Sequence, residues 1–482
     1  MIAIPRLPDE IRADLPPEVQ AYLTLLESAL PELEAKVETL QALVNELQAR
    51  TRQNSRNSSR PPSADPPSAP PRPKRQASTR QRGGQPGHKK HERKMLPVEE
   101  VDEVIDHHPQ ECPLCFHPLG ANLPDAQEPE RQQVWDIPPV KAHVTEHRYH
   151  RVACPGCQTM VEAQRPAQVP LGAFGPGLIA LMGLLRAQYR LSIRKIVALL
   201  QDIFNLPVST GSVVDQCHQL SAALANPYTE SQGQVAAADK ANVDETGWKK
   251  AGKKLWLWVA VTAEATVFRI ADRSAASLTA LLGEKFKGII TSDRFKSYLA
   301  IAVARRQTCW AHLKRNWQSF SEWPDERIAT WGQQALTQIE KLFDLWRQFK
   351  AGTIDRATLQ SEMKPVQDKL QQVLEEGQKL PLAKAQTFCQ NVLALWPALW
   401  RFLEVEGLEP TNNAAERALR HAVLWRKGCY GTQSDKGTQF VSRALTVVET
   451  CRQQKRHVLT FLTDTVQAYI TGEPTPSLFS IP

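Results

Sequence analysis

Residues 235–270, VAAADKANVDETGWKKAGKKLWLWVAVTAEATVFRI, mark where the chain changes from helical to strand patterning, and GIITSD at 288–293 repeats the change. Short apolar runs bounded by turn residues indicate strands, whereas apolar positions spaced three and four apart indicate helices. On this basis Ala236–Val243, Leu255–Val261 and Thr266–Ile270 are predicted strands, the last two hairpin-like. A helix is predicted through Ser274–Leu282, a short buried strand at Gly288–Ser292, another strand at Arg306–Trp310, and a helix from about His312. The resulting order is mixed α/β and not a strict βαβ alternation. Asp244 and Asp293, 49 positions apart, each read as lying just beyond an apolar strand, where neighbouring central strands would bring their carboxylates together. Hard oxygen ligands of this kind suit Mg²⁺. Strand-end aspartates also cap turns, so the pair alone is a weak signal.

Length and charge bound the classes. A chain of 482 residues exceeds one ordinary core and implies three or more units. No stretch approaches the roughly 20 apolar residues of a membrane span, the start lacks a basic-then-apolar leader, and nine cysteines argue against a secreted disulfide scaffold. The expectation is a cytoplasmic, nucleoid-associated protein with no membrane partner. The net charge is +8, but Arg50–Lys94 alone carries thirteen Lys/Arg against two acids. A basic segment on a near-neutral body points to a polyanion, with nucleic acid foremost.

Upstream, Val19, Leu23, Leu26, Leu30, Leu33, Val37, Leu40, Val44 and Leu47 follow the 4,3 spacing of a heptad seam. Leu at every d position with Val at two a positions favours a parallel dimer, so residues 1–50 read as a dimerising coiled coil, with Pro31 expected to restart or kink the helix. Residues 51–96 are Pro/Ser-rich, with almost nothing to bury, and read as a disordered basic linker whose cations, Lys89 and Lys90 among them, follow phosphates. Residues 97–170 hold two CxxC pairs, Cys112/Cys115 and Cys154/Cys157. Paired thiolates in tight Pro/Gly turns, four in all, complete the tetrahedral shell of one structural Zn²⁺. His117, His143, His147 and His150 are spare candidates on the basic surface between the knuckles. Residues 171–228 read as helices at Pro176–Leu185, Ile193–Ile203 and Val213–Leu224, the last capped near Ser209, resembling a helix-turn-helix; helical hairpins are common, so this signal is weak.

A third acid, Glu416, lies in Thr411-Asn412-Asn413-Ala-Ala-Glu416-Arg417-Ala-Leu-Arg420. Asn412 or Asn413 can cap a helix and place Glu416 in its first turn, where the dipole favours an anion. Glu416 and Arg420 also fit an ordinary i,i+4 surface pair.

Taken in order, the leucine-rich start, NSSRPPS at 57–63, GGQPGHKK at 83–90, the paired cysteines, VDETGWKK (243–250), LWLWVAVT (255–262), GIITSDRFKSY (288–298), CWAHLKRNW (309–317) and TNNAAERALRHAVLWRKGCYGT (411–432) resemble the DDE transposases of bacterial insertion sequences, more narrowly the large transposase of insertion sequence 66. The resemblance implies a multidomain α+β protein whose RNase H-like mixed α/β catalytic core is split into 229–320 and 406–470 by a helical insertion at 321–405, with a tail at 471–482. It implies a catalytic triad of Asp244, Asp293 and Glu416, binding two Mg²⁺ ions (Mn²⁺ the candidate substitute), with Cys309 and His312 as active-site support. Metal-activated water would cleave a phosphodiester and the freed 3′-OH would attack target DNA. Arg417, Arg420, Arg426 and Lys427 would hold phosphates of element ends and target DNA; Trp248 and Trp425 fit base stacking or, more readily, core packing. Glu245, adjoining Asp244, leaves open which carboxylate turns inward. A homodimer or larger assembly and accessory proteins of the same element are implied partners. Two rival readings stay open: a non-enzymatic dimeric zinc-finger DNA-binding regulator, and a nuclease or resolvase that cuts without joining.

Overall fold

In a computed structural model, the described residues are 7–58, 65–67, 69, 93–120, 123–124, 126–138 and 140–479. They divide into two compact units, one of 1–69, 145–202 and 206–482, the other of 70–144 with 203–205. The architecture is a mixture of fifteen α-helices and a mixed sheet among the described residues, a multidomain α+β arrangement. Lys89 and Lys90 lie outside the described residues.

In the larger unit the chain opens with α1 (Asp9–Ala13) and α2 (Pro17–Thr51), so the first fifty residues are not one helix: Pro16 and Pro17 interrupt the ladder and restart it. Pro31 is absorbed within α2, which runs unbroken through it. No residue of α2 is fully buried, although Ala49 near its end packs against the body, and its heptad leucines and valines, such as Leu33 and Val37, stand exposed. Residues just beyond it do not behave as a disordered linker. Asn54 and Asn57 are buried: Asn57 Oδ1 accepts from Asn54 N (2.8 Å), and Asn57 Nδ2 donates to Glu322 Oε2 (2.6 Å). Ser55 N and Oγ both donate to Asp65. Most of the segment read as a linker (59–64, 68 and 70–92) lies outside the described residues, and the contacts at 54–58 and 65 are made by side-chain amides and hydroxyls and not by apolar burial.

The helices α3 (Pro176–Ala187), α4 (Ile193–Phe204), α5 (Thr210–Ala223) and α6 (Ala225–Ala237) follow, α5 capped by Ser209 Oγ accepting from Ser212 N. α6 occupies the start of the predicted first strand, and the strand β3 (Lys240–Lys250) runs later and longer. It pairs antiparallel with β4 (Lys253–Val261), which pairs antiparallel with β5 (Thr266–Ala271). After α7 (Ala275–Leu282), β6 (Ile289–Ser292) pairs parallel with β3, and β7 (Arg306–Thr308) parallel with β6. The order is β5-β4-β3-β6-β7, with β3 central. One face packs Val243, Trp258, Val267 and Ile290 against Leu278 and Leu281 of α7.

Both sheet edges are closed by side chains, a protection that exposed edges require. On α14 (Asp435–Gln453), Thr446 Oγ1 accepts from Phe268 N and Thr450 Oγ1 accepts from Thr266 N, so α14 satisfies β5. At the other edge, Gln307 of β7 donates to Leu399 O and accepts from Phe402 N, both on α12 (Trp396–Glu404). After the last strand and before α13, α8 (Trp310–Ser321), α9 (Glu326–Lys350), α10 (Arg356–Gly377), α11 (Ala383–Leu393) and α12 bury a second core. Its centre is aromatic: Trp317 lies 4.7 Å from Trp331 and 5.0 Å from Phe388, ring centre to ring centre. The chain then forms α13 (Asn413–Cys429), α14 and α15 (Val458–Thr471). Beyond α15 the tail is docked, with Leu478 buried and its N–H donating to Glu230.

Each CxxC pair forms the same tight knuckle in its own unit. Phe116 N donates to Cys112 O (2.9 Å) and Cys112 N to His117 O (2.9 Å); Gln158 N donates to Cys154 O and Cys154 N to Thr159 O, each 2.8 Å. Phe116 and Gln158, directly after each second cysteine, are both left-handed. The second knuckle is framed by β1 (Arg151–Ala153) paired with β2 (Met160–Glu162).

Gly288 leads into β6 against the backbone oxygens of Ala238 and Asp239, where a Cβ would collide with both. Gly288→Ala should therefore cost about 1–3 kcal/mol, as overpacking does, read as a lowered urea midpoint with unchanged slope. An unchanged midpoint would show the β3–β6 junction to be looser than described.

Candidate active site

The β3–β6 register pairs Asn242 with Thr291, so two residues further along, where pairing ends, Asp244 stands beside Asp293 on the same face. Asp244 is inside β3 and not beyond it. The third carboxylate, Glu416, sits in the first turn of α13, and what fixes that turn is Asn412. This side chain is completely buried; its Nδ2 donates to Val243 O (2.7 Å) and its Oδ1 accepts from Asn242 Nδ2 (3.1 Å). The expected side-chain cap is therefore absent: Asn412 precedes α13, but its amide is spent on β3. Asn412 N also donates to Cys309 Sγ (3.2 Å), and Cys309 N donates to Ser292 O (2.9 Å), next to Asp293. Cys309 and Asn412 thus tie β3, β6 and α13 at one point.

One helical turn on, His312 Nδ1 is 3.8 Å and Arg315 3.9 Å from Glu416 Oε1. Cys309, His312 and Glu416 offer ligand atoms all within 4.8 Å of one another. Glu416 faces these groups, not Arg420, so the i,i+4 surface pairing is set aside. Among the described residues, Glu416 Oε1 and His312 Nδ1 are buried oxygen and nitrogen atoms without a hydrogen-bond partner.

The electrostatics report crowding. Burial, then Glu245, then Asp293 push the Asp244 carboxyl well above the usual range, and Glu416 adds to this. Burial also raises Glu416, with Asp293 adding and Arg315 opposing. Burial and then Arg315 press His312 down to about 4, keeping its imidazole neutral near pH 7, and burial lifts the Cys309 thiol to about 11. A neutral imidazole and an acceptor-rich carboxylate cluster form a donor set that fits a divalent cation.

Glu245 points to the opposite face. Arg273 Nε donates to its Oε1 (2.7 Å), the Tyr298 hydroxyl donates to its Oε2, and the Arg273 guanidinium covers the Phe295 and Trp256 rings. Glu245 is therefore committed to structure, which resolves the ambiguity between the two adjacent acids. Arg417, Arg420 and Lys427 are exposed along α13. Arg426 is half-buried and donates to Thr246 Oγ1 (3.1 Å) and Gly247 O, so it fastens α13 to β3. Trp248 and Trp425 are buried core residues and are not available to stack on a base. Sequence reasoning missed Asn412 as a tertiary pin, and with it Arg273, Tyr298 and Arg315; the only signal for Asn412, Tyr298 and Arg315 was their place inside the motifs already quoted, and for Arg273 there was none.

The fold defines a multidomain α+β protein with a central mixed sheet and two cysteine knuckles. The chain belongs to the IS66 family of transposases: the family model described as Transposase IS66 family matches residues 172–440. The zinc-finger binding domain of transposase IS66 matches 109–158, which supports a Zn²⁺ site and DNA binding, and a family of unknown function (DUF6444) matches 7–94. Among relatives, the uncharacterized protein y4hP of Sinorhizobium fredii is 24% identical over 423 residues, covering 79% of this chain and 74% of that protein. The uncharacterized protein y4qI of the same organism is 25% identical over 249 residues, 46% of this chain and 45% of that protein. Among the described residues no helix is long and apolar enough to cross a membrane.

Because the Asp244 carboxyl binds its proton more tightly folded than unfolded, it adds stability that is full below the ordinary carboxylate value of about 4 and lost as pH rises through the raised one. Thermal melts without added divalent ions should shift upward as pH falls through that window. Asp244→Asn should flatten the dependence and melt a few degrees higher at neutral pH. A variant that tracks wild type at every pH would refute carboxylate crowding. Asn412→Ala should cost about 1–3 kcal/mol in urea unfolding, because Val243 O and Asn242 Nδ2 lose their partner.

Proposed function

We propose that this transposase binds the ends of its insertion sequence and catalyses divalent-metal-dependent strand cleavage and strand transfer, with Asp244, Asp293 and Glu416 as catalytic carboxylates. The observation that carries this reading is the convergence of the three acids from β3, the end of β6 and the first turn of α13, each shifted or shifting the others by proximity. The strand order β5-β4-β3-β6-β7, antiparallel then parallel about a central β3, supports an RNase H-like core split by the helices α9–α12.

Asp244, Asp293 and Glu416 would hold two Mg²⁺ ions, with Mn²⁺ as the substitute to test, and when bound these supply an activated water and charge stabilisation at the leaving 3′-oxygen. Asp244 and Asp293 present their oxygens along one strand face; Asn412 keeps the helix bearing Glu416 in place. His312, held neutral, offers a hydrogen bond beside Glu416, and Cys309, a protonated thiol, acts as structural support. Arg417, Arg420 and Lys427 lie on exposed turns of α13 where DNA phosphates would run. Cys112, Cys115, Cys154 and Cys157 are the proposed ligands of one structural Zn²⁺, and the preformed knuckle at each pair fits that role. The exposed heptad seam of α2 supports a homodimer or larger assembly, consistent with pairing two element ends. Accessory proteins of the same element and a nucleoid location complete the reading.

The test is cleavage and joining of DNA from the flanks of this gene with Mg²⁺, comparing wild type and Asp293→Asn, with gel-shift binding alongside. Wild type should cut and join, and the variant should bind with similar affinity while losing at least about a hundredfold in rate. Binding by both without cutting, even with the element's accessory proteins, would favour a regulator; cutting without joining would favour a nuclease or resolvase.

A further inference from the structure

The turn after α13 is fastened to the tip of the β3–β4 hairpin. Thr432 N donates to Lys249 O (2.9 Å) and Ala251 N donates to Thr432 O (2.8 Å), so two segments distant in sequence share a short backbone ladder. Gly431, at φ 117°, presses on the Lys249 carbonyl so closely that no Cβ would fit. Just before it, Tyr430 N donates to Arg426 O (2.8 Å) and the residue is left-handed, at φ 59°. The outcome is a tyrosine ring 81% exposed on a rigidly held backbone. Left-handed backbone at a bulky residue costs on the order of 1–3 kcal/mol, and a ring in water recovers none of it through burial. Such an outlier asks for a ligand.

Its surroundings say which kind. Lys249, Lys253 and Lys254 stand exposed on the hairpin, Lys427 precedes the turn and Lys436 follows it. Among the described residues, Lys249, Lys253, Lys427 and Lys436 have no carboxylate partner, and the only acid within 249–254 and 427–436, Asp435, is already paired with Lys250 (2.6 Å). The strand supplies the scale: five residues of β3 separate Asp244 from Lys249, about 17 Å, or about five base-pair steps. An exposed aromatic ring on a turn whose flanking segments carry exposed lysines matches a nucleic-acid strand whose phosphates pass the lysines while one base turns onto the ring.

We infer that Tyr430 and the β3–β4 hairpin lysines form a DNA subsite flanking the reactive phosphodiester, where the tyrosine stacks on a base unpaired from the end of the element. The inference rests on the transposase reading and extends it to a residue with no part in the chemistry. It also accounts for why β3 continues so far past Asp244: the added length carries the platform.

The probe is duplex DNA from the gene's flank carrying 2-aminopurine at successive positions around the cut, bound in Ca²⁺. Wild type should raise fluorescence at one position near the cut, and Tyr430→Ala should abolish the rise and weaken binding roughly 5- to 100-fold. Tyr430→Trp should restore both, and Tyr469→Ala, at an exposed tyrosine elsewhere, should leave both unchanged. The combined Lys249→Ala, Lys253→Ala and Lys254→Ala variant should flatten the slope of log affinity against log salt by about 2.7. If wild type cuts and joins but Tyr430→Ala binds and fluoresces identically, the subsite is refuted and the transposase reading stands. If wild type binds none of these duplexes, both fall, and an acidic protein partner becomes the occupant to seek.

Discussion

One fully buried amide, that of Asn412, sets the geometry of everything around it. It spends its donor on the β3 backbone and its acceptor on a β3 side chain, while its own N–H reaches the Cys309 sulfur. A buried polar group left unpaired costs far more than a satisfied one gains, so the start of α13 has one comfortable position relative to the sheet. Four residues later the same helix delivers Glu416. Glu416 is therefore placed by a neutral amide and not by attraction to the other acids.

Their meeting is unfavourable in itself. Asp244 and Glu416 are pushed toward protonation by burial and by Asp293, and only Arg315 works against this at Glu416. The surrounding sheet tolerates the crowding because its edges are closed by α12 and α14 and because a second, aromatic core braces α8 from behind. On the reverse face of β3, Glu245 is likewise raised by burial and by Asp293, but Tyr298 and Arg273 hydrogen-bond it and oppose the rise. Adjacent acids on one strand thus serve different ends through the two-residue alternation alone.

Much of this was legible in the residues. Alternating and continuous apolar runs gave β4, β5, β6 and β7 nearly as they stand, and VDETG, TSD and NNAAER fall on β3, the end of β6 and the start of α13. What escaped was whatever depends on three-dimensional satisfaction of polar groups. Asn412 read as a helix cap because capping is the local use of asparagine, and only the sheet reveals its longer reach. Ser55, Asn57 and Asp65 read as linker because composition measures apolar content and is blind to a turn tied by amides and hydroxyls. Arg426 read as a phosphate binder because sequence cannot show a guanidinium on α13 reaching across to the backbone of β3.

The clasp between Asn57 and Glu322 has a mechanical consequence. A 35-residue helix of about 52 Å would usually hang from a body by a loose tether, free to sweep a wide volume. Here its last turns instead lie against the aromatic core, with Ala49 packed on it and the following turn bolted to the end of α8. That makes α2 a lever arm fixed at its base. Whatever pairs with the exposed far end of the helix is thereby held at a distance set by the stiffness of the protein, as the span of a caliper is set by its hinge.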